Sequence, residues 1–193
     1  MVKITYTLRR RSLDVYSAAP NSERVSVDGY EFAALSADYF ASAEFCKPRL
    51  SLFRERLTEG FAAHGLLTSD GELAYYMWLS FWSDKGWAPW ALGARISLPE
   101  SSGYIFDCKT APEHRNKGLY TFALKHARRL CQEVQCEKVL IDVEPHNDPA
   151  IRAIRRAGFN KVGNIDVTKF GPVFKCDRES QTTIGWGSCR YEF

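Results

Sequence analysis

From residue 104 to residue 159 the hydrophobic positions fall into four consecutive segments of alternating period. Residues 104–110 are rich in β-branched and aromatic side chains, and Ala111-Pro112 ends the run because proline lacks the N–H that a continuing ladder needs. This predicts a strand. Tyr120, Ala123, Ala127, Leu130, Cys131 and Val134 then recur at helical spacing, with Thr121, Lys125, Arg128, Gln132 and Glu133 mainly on the other side. An amphipathic helix follows from that pattern. Residues 138–143 read as a second strand, 144–149 as a turn, and 150–157 as a short helix closed by Gly158.

Upstream, Phe32, Leu35, Tyr39 and Phe40 predict a helix around residues 31–45. Pro48, followed by Leu50, Phe53 and Leu57 and then by Gly60, predicts another, with proline near the first turn and glycine after the last. Residues 61–67 and 73–82 read as two strands joined across Ser69-Asp70-Gly71. In the second of them both alternating sets are apolar: Tyr75, Met77 and Leu79 on one side, Tyr76, Trp78 and Trp82 on the other. It should therefore lie inside the sheet, covered on both faces. A coil is expected through residues 87–93, and closing strands over 161–170 and 182–193. The first thirty residues carry turn signals at Pro20-Asn21 and Asp28-Gly29 but do not declare whether they join the sheet.

The turn between the first strand and the long helix carries candidate chemistry. His114-Arg115-Asn116-Lys117-Gly118-Leu119-Tyr120 sits at a helix N-terminus, where backbone N–H groups lack intrahelical partners and the macrodipole is positive. Such a place suits a phosphate or pyrophosphate. Gly118 lets the backbone come close, and Arg115 and Lys117 add cations, the arginine able to bind in bidentate fashion. The loop is neither a Walker A sequence nor a dinucleotide fingerprint.

With residues 110–119, Asn147-Asp148-Pro149-Ala150 and Ala157-Gly158-Phe159 in this order and spacing, the chain resembles the GNAT superfamily of acyl-CoA-dependent N-acyltransferases. The resemblance implies one α/β domain over residues 1–193, with a mixed central sheet flanked by helices and two splayed parallel strands forming the acyl-CoA cleft. It implies acetyl-CoA, or another acyl-CoA, as co-substrate. Cys108, Lys109 and Thr110 would bond the pantetheine arm through their backbone, and one of those N–H groups would polarise the thioester. Arg115, Asn116, Lys117, Gly118, Leu119 and Tyr120 would hold the pyrophosphate, and Asn147 would contact the pantetheine. The chain departs from the family pattern twice. Tyr120 stands where the loop motif ends in glycine or alanine, and Ile154 stands where many members carry a tyrosine that protonates the leaving thiolate.

Amine attack on a thioester asks the protein to align two reactants, stabilise an oxyanion and take up a proton. Asp107, Asp142 and Glu144 are the carboxylates near the strand ends, and Glu144 and Asp107 rank first as general base. The expected activity is acetyl transfer to an amine acceptor such as a sugar, an aromatic amine or an amino acid. The alternatives are transfer of a longer acyl chain, or a non-catalytic module that senses acyl-CoA.

Composition narrows the partners. The 193 residues, 45% hydrophobic, suffice for one full core, and a formal net charge of +3 is slight for a nucleic-acid binder. Arg9-Arg10-Arg11 reads as a solvated strand end. The start lacks a long apolar region behind a basic one, and no apolar run approaches a membrane span, so a cytoplasmic protein is expected. The six cysteines form no Cys-x-x-Cys pair and the four histidines are scattered, so free thiols and no metal are expected. Cys108 reads as a small core residue rather than an acyl carrier. Trp78 and Trp82 read as core, while Trp87 and Trp90, in the coil, are the tryptophans placed to line an acceptor pocket.

Overall fold

The computed structural model describes residues 8–23, 25–170, 173–178 and 181–186. The helix of the long amphipathic pattern, α3 (Leu119–Glu133), and the shorter α4 (Asp148–Arg156) form as expected, each following its strand, β7 (Ser102–Thr110) and β8 (Lys138–Val143). Strands β3 (Ala62–Thr68) and β4 (Leu73–Phe81) pair antiparallel as the predicted hairpin. All nine residues of β4 are buried. Tyr76 and Trp78 point into one core with Phe40, Phe53 and Tyr104, whereas Tyr75, Met77 and Leu79 point into the other with Leu119, Ala123 and Ala127 of α3. The sheet is thus covered on both faces, as the double apolar alternation requires.

Among the described residues the main sheet has nine strands in the order β11-β10-β9-β1-β8-β7-β4-β3-β2, completed by β1 (Leu8–Ala18), β2 (Tyr30–Ala34), β9 (Asn160–Phe170), β10 (Val173–Arg178) and β11 (Gln181–Trp186). β7 and β8 are its parallel pair. Their pairing runs from Ser102↔Lys138 to Ile105↔Ile141 and goes no further. Beyond it β7 bulges: Tyr76 faces Lys109 and Trp78 faces Phe106, so Asp107 and Cys108 together oppose Met77, and Asp107 takes φ 50°. The bulge turns β7 away from β8 and opens the sheet between Phe106 and Asp142.

Several expectations need correction. Residues 30–34 are a strand paired with β3, and the helix α1 begins only at Ala37, after Ser36 (Ala37–Ser42). The spacing of Phe32, Leu35 and Tyr39 mimics a helix turn, but at this sheet edge Phe32 pairs opposite Leu66. Pro48 lies within a 3₁₀ segment, Glu44–Arg49, that leads into α2 (Leu50–Thr58). The coil over 87–93 contains β5 (Trp87–Pro89), which pairs with β6 (Arg95–Ser97) as a small separate arm. Trp82, just past the end of β4, is 41% exposed rather than core. A strand at 173–178 went unpredicted; of the expected 182–193 run, residues 187–193 lie outside the described residues.

The N-terminal segment supplies an interior strand. β1 lies between β8 and β9, antiparallel to both. Its second half buries Leu13, Val15, Tyr16 and Ala18, and its first half extends past β8 towards the splayed gap, carrying exposed Arg9, Arg10 and Arg11.

At Gly65 of β3 a Cβ would meet the Tyr75 carbonyl oxygen at 2.4 Å and Leu35 Cδ1 at 2.8 Å. Gly65→Ala therefore forces the hairpin apart and is expected to cost about 1–3 kcal/mol. In thermal unfolding followed by circular dichroism it should lower Tm by about 3–10 °C.

Candidate active site

Three cavities follow the gap between β7 and β8. The first, about 610 Å³, lies between the N-terminus of α3 and helix α4. Nine of the ten residues expected to hold the co-substrate line it: Cys108, Lys109 and Thr110 from β7; Arg115, Asn116, Gly118, Leu119 and Tyr120 from the loop and first turn of α3; and Asn147 before α4. Lys117 turns aside, its Nζ donating to the Tyr30 hydroxyl at 3.3 Å.

The local chemistry of this cleft suits a polyphosphate. Gly118 is the N-cap of α3 with φ 75°, and no side chain caps the helix. The N–H groups of the first turn, Leu119, Tyr120 and Thr121, therefore have no intrahelical partner. A Cβ at Gly118 would meet nothing within 4 Å, so the space above the loop is open. The cleft wall carries Lys109, Arg115, Arg152 and Arg156 and no carboxylate. Arg152 and Arg156, four residues apart on one face of α4, were legible as a helical pair but lie outside the family motifs quoted above. Asn147 caps α4, its Oδ1 accepting from Ala150 N–H at 3.3 Å.

Cys108, Tyr120, Asn147 and Ala150 also line the second cavity, about 240 Å³, in the splayed gap itself. Here Asp107, Asp142 and Glu144 come together. Their surroundings differ sharply. Asp107 is clamped: Arg49 donates from Nη1 and Nη2 at 2.5 and 2.6 Å, and Arg56 Nη1 donates to Oδ2. Both its oxygens are thus occupied by guanidinium hydrogens, and the clamp anchors the bulge to α2 and the segment before it. Glu144 is 55% exposed at the strand end and accepts from Arg11 Nη1 at 2.5 Å. Asp142 accepts from the Tyr104 hydroxyl, and the Trp90 indole lies on the wall of the cavity that Asp142 also lines. Burial lifts the Asp142 carboxyl to about 7, against the opposing pull of the Trp90 indole.

Cys108, half-buried and packed against the core beneath α3, is also a wall of this cavity. Burial pushes its thiol up to about 12, against the opposing pull of the Tyr75 and Tyr120 hydroxyls beside it. Burial also holds the Tyr120 phenol well above its usual range, so it remains a proton donor. Ile154, at the family's usual tyrosine position, is fully buried and touches neither cavity.

The third cavity, about 450 Å³, continues past Asp107 and Asp142 to the other side of the sheet. Arg11, Arg49 and Arg56 bring positive charge to it, and Pro89, Trp90 and Leu92 of the small arm give an apolar rim. Trp87 instead packs edge-on against Phe61, under the Arg95 guanidinium. Arg49 and Arg56 were not singled out in the sequence, although their seven-residue spacing would set them on one helix face.

Among the described residues no group of three or more histidine, cysteine or acidic side chains is gathered as a metal site, and no helix is long and apolar enough to cross a membrane.

Comparison with known proteins agrees with this geometry. Solved structures with the same fold include a Drosophila protein (TM-score 0.61, 13% identity, 86% of this chain and 52% of that one). Another is described as a GNAT-family acetyltransferase from Novosphingobium aromaticivorans (TM-score 0.58, 18% identity, 86% and 67%). A third is the ribosomal-protein-S18-alanine N-acetyltransferase of Escherichia coli (TM-score 0.52, 16% identity, 69% and 79%). The chain thus spans about half the length of the Drosophila protein. No curated protein matches it in sequence. The family model for the acetyltransferase (GNAT) family matches residues 32–159, and with the splayed β7–β8 pair in place the chain belongs to that family.

Proposed function

We propose that this protein transfers an acetyl group from acetyl-CoA to an amine. The observation that carries the reading is a continuous passage. A cation-lined cleft without carboxylates meets the gap between the splayed strands at Cys108, Tyr120 and Asn147, and the far wall of that gap holds Asp142. The diphosphate would lie on the first turn of α3, with Arg115, Arg152 and Arg156 as counter-charges and the β7 backbone from Cys108 to Thr110 along the pantetheine. The thioester would then reach the gap.

In the reaction the amine nitrogen bonds to the carbonyl carbon, the carbon–sulfur bond breaks, and CoA leaves as a thiol. Asp142 takes the amine proton, since burial lifts its proton affinity to near neutrality and no arginine among the described residues pairs with it, while Asp107 and Glu144 stay engaged with arginines. Tyr120 returns a proton to sulfur, a role that Ile154 cannot fill. Asp142 thereby replaces Glu144 and Asp107 as the favoured base.

The charges beyond the gap favour acetyl over a long chain. A fatty acyl group would have to extend among Arg11, Arg49, Arg56, Asp107 and Asp142, where hydrocarbon gains little and strips water from charges. Residence in the cytoplasm is consistent with this reading. Thiol release from acetyl-CoA and from octanoyl-CoA, measured with a panel of amines, tests it. Amine-dependent release from acetyl-CoA, about tenfold or more above that from octanoyl-CoA, is expected. Donor binding with no amine-dependent release would favour a sensing module, and preference for the octanoyl donor would favour the long-chain alternative.

A further inference from the structure

The third cavity reads as an acceptor site with a chemical preference of its own. Its two walls differ in charge. Asp142 faces it from β8. Arg49 and Arg56 face it from the other side, and they share one counter-ion, Asp107. Arg11 is balanced by Glu144. The Arg49–Arg56 pair therefore carries one guanidinium charge more than Asp107 balances, and the next carboxylate, Asp142, stands on the other wall.

That charge is held where water screens it poorly. The Arg56 side chain is 9% exposed, stacked over Trp78 and Phe106, and its buried Nε has no hydrogen-bond partner among the described residues. A buried cation with an unmet donor is costly in isolation. In front of it Arg49, with its side chain 37% exposed, lines the cavity, its Nη1 shared between Asp107 and the Tyr76 hydroxyl. Such a pair favours a planar anion with two oxygens over a cation or a neutral amide. The volume of about 450 Å³ and the rim of Pro89, Trp90 and Leu92 suit a body of amino-acid size with an apolar side chain.

We propose that the acceptor is an amino carboxylate, its amine meeting Asp142 at the gap and its carboxylate meeting the Arg49–Arg56 wall. This rests on the transfer function proposed above and narrows it: the products are an N-acetyl amino acid and CoA, with the amine proton passing to Asp142. An acceptor carrying several ammonium groups is disfavoured, because its further charges would stand beside two arginines.

The test compares, on the full chain with acetyl-CoA, apolar L-amino acids, their amides, 2-phenylethylamine and spermidine. Thiol release is read together with product mass, and rates are corrected for the fraction of free amine. The carboxylates should exceed their amides in kcat/KM by about 10- to 100-fold. Arg49→Gln should collapse that ratio towards one through KM, and Arg49→Lys should keep part of it. Equal or faster turnover of the amides, the plain amine or spermidine by the unaltered protein would overturn the proposal and leave acetyl transfer standing. Failure of every amino carboxylate in a protein that binds acetyl-CoA would overturn it too. Absence of acetyl-CoA binding in a parallel calorimetric titration would instead remove the transfer reading on which it rests.

Discussion

Asp142→Asn is expected to lower kcat by about 100-fold or more while acetyl-CoA affinity stays within about twofold, because the change removes the proton acceptor and keeps the shape. The asparagine carbonyl can still accept from the Tyr104 hydroxyl, so the wall of the gap should survive. The pH profile is the sharper readout. Asp142 works only when ionised, so kcat/KM of the unaltered protein should rise with pH through an apparent pKa of about 7, and the variant should lose that limb.

Stability should move the opposite way. The Asp142 carboxyl is raised from 3.8 to about 7 in the fold, so the native state binds the proton more tightly than the unfolded chain. Its contribution to stability is full below the unfolded value and is lost as pH rises through the folded one. Above pH 7 the fold therefore carries a desolvated charge that asparagine lacks. Asp142→Asn should raise Tm by about 2–5 °C at pH 8 and by less at pH 5, as expected when a site trades stability for reactivity. A variant with unchanged activity and an intact pH profile would return Glu144 to the front, and Glu144→Gln would then be the change that matters.

The second large effect is expected at Gly118. Nothing lies within 4 Å of a Cβ built there, so a side chain meets no protein atom and would project into the space above the first turn of α3. With φ 75° any side chain also pays about 1 kcal/mol or more for the left-handed backbone, asparagine and aspartate least. Gly118→Asp should therefore fold with a modest loss of Tm. It sets a carboxylate where phosphate oxygens would approach the helix N-terminus, and should weaken acetyl-CoA binding by about 100-fold or more. Gly118→Ala, which lacks the charge, should lose much less. Equal affinity for acetyl-CoA in all three proteins, by calorimetry, would mean that the loop is only a turn.

How much of this was visible beforehand depended on the range of the interactions involved. The β7-α3-β8-α4 run declares itself because each element is specified by its own periodicity and punctuation, with Pro112, Gly118 and Gly158 at the joints. The strand at Lys138–Val143 came out with its observed bounds. The interior place of β1 did not, since its first half is exposed on a polar stretch and its neighbours lie more than a hundred residues away. Residues 30–34 differ from the expected helix because the strand is only five residues long and Phe32, Leu35 and Tyr39 fall at helical spacing by coincidence. Each strand of the β5–β6 arm is three residues long, too short for alternation to register.

The site divides along the same line. The loop proposed to hold the co-substrate is contiguous in sequence, and its residues other than Lys117 gather in one cleft. The choice among three carboxylates was not legible, because Asp142 and Glu144 share a face of β8 and differ only in what covers them. Tyr104 and Trp90 enclose the first, while Arg11 meets the second in water. Asp107 likewise looked free until α2 and the segment before it brought Arg49 and Arg56 to it.

In the proposed reaction the cleft at the N-terminus of α3 receives acetyl-CoA and delivers its thioester to the gap beside Asp142. Isothermal titration of the unaltered protein with acetyl-CoA, with thiol release followed in the same samples, tests it most directly. Saturable one-to-one binding is expected, with a slow, protein-dependent release of thiol that amines accelerate. No heat of binding and no thiol release above the buffer rate would contradict it.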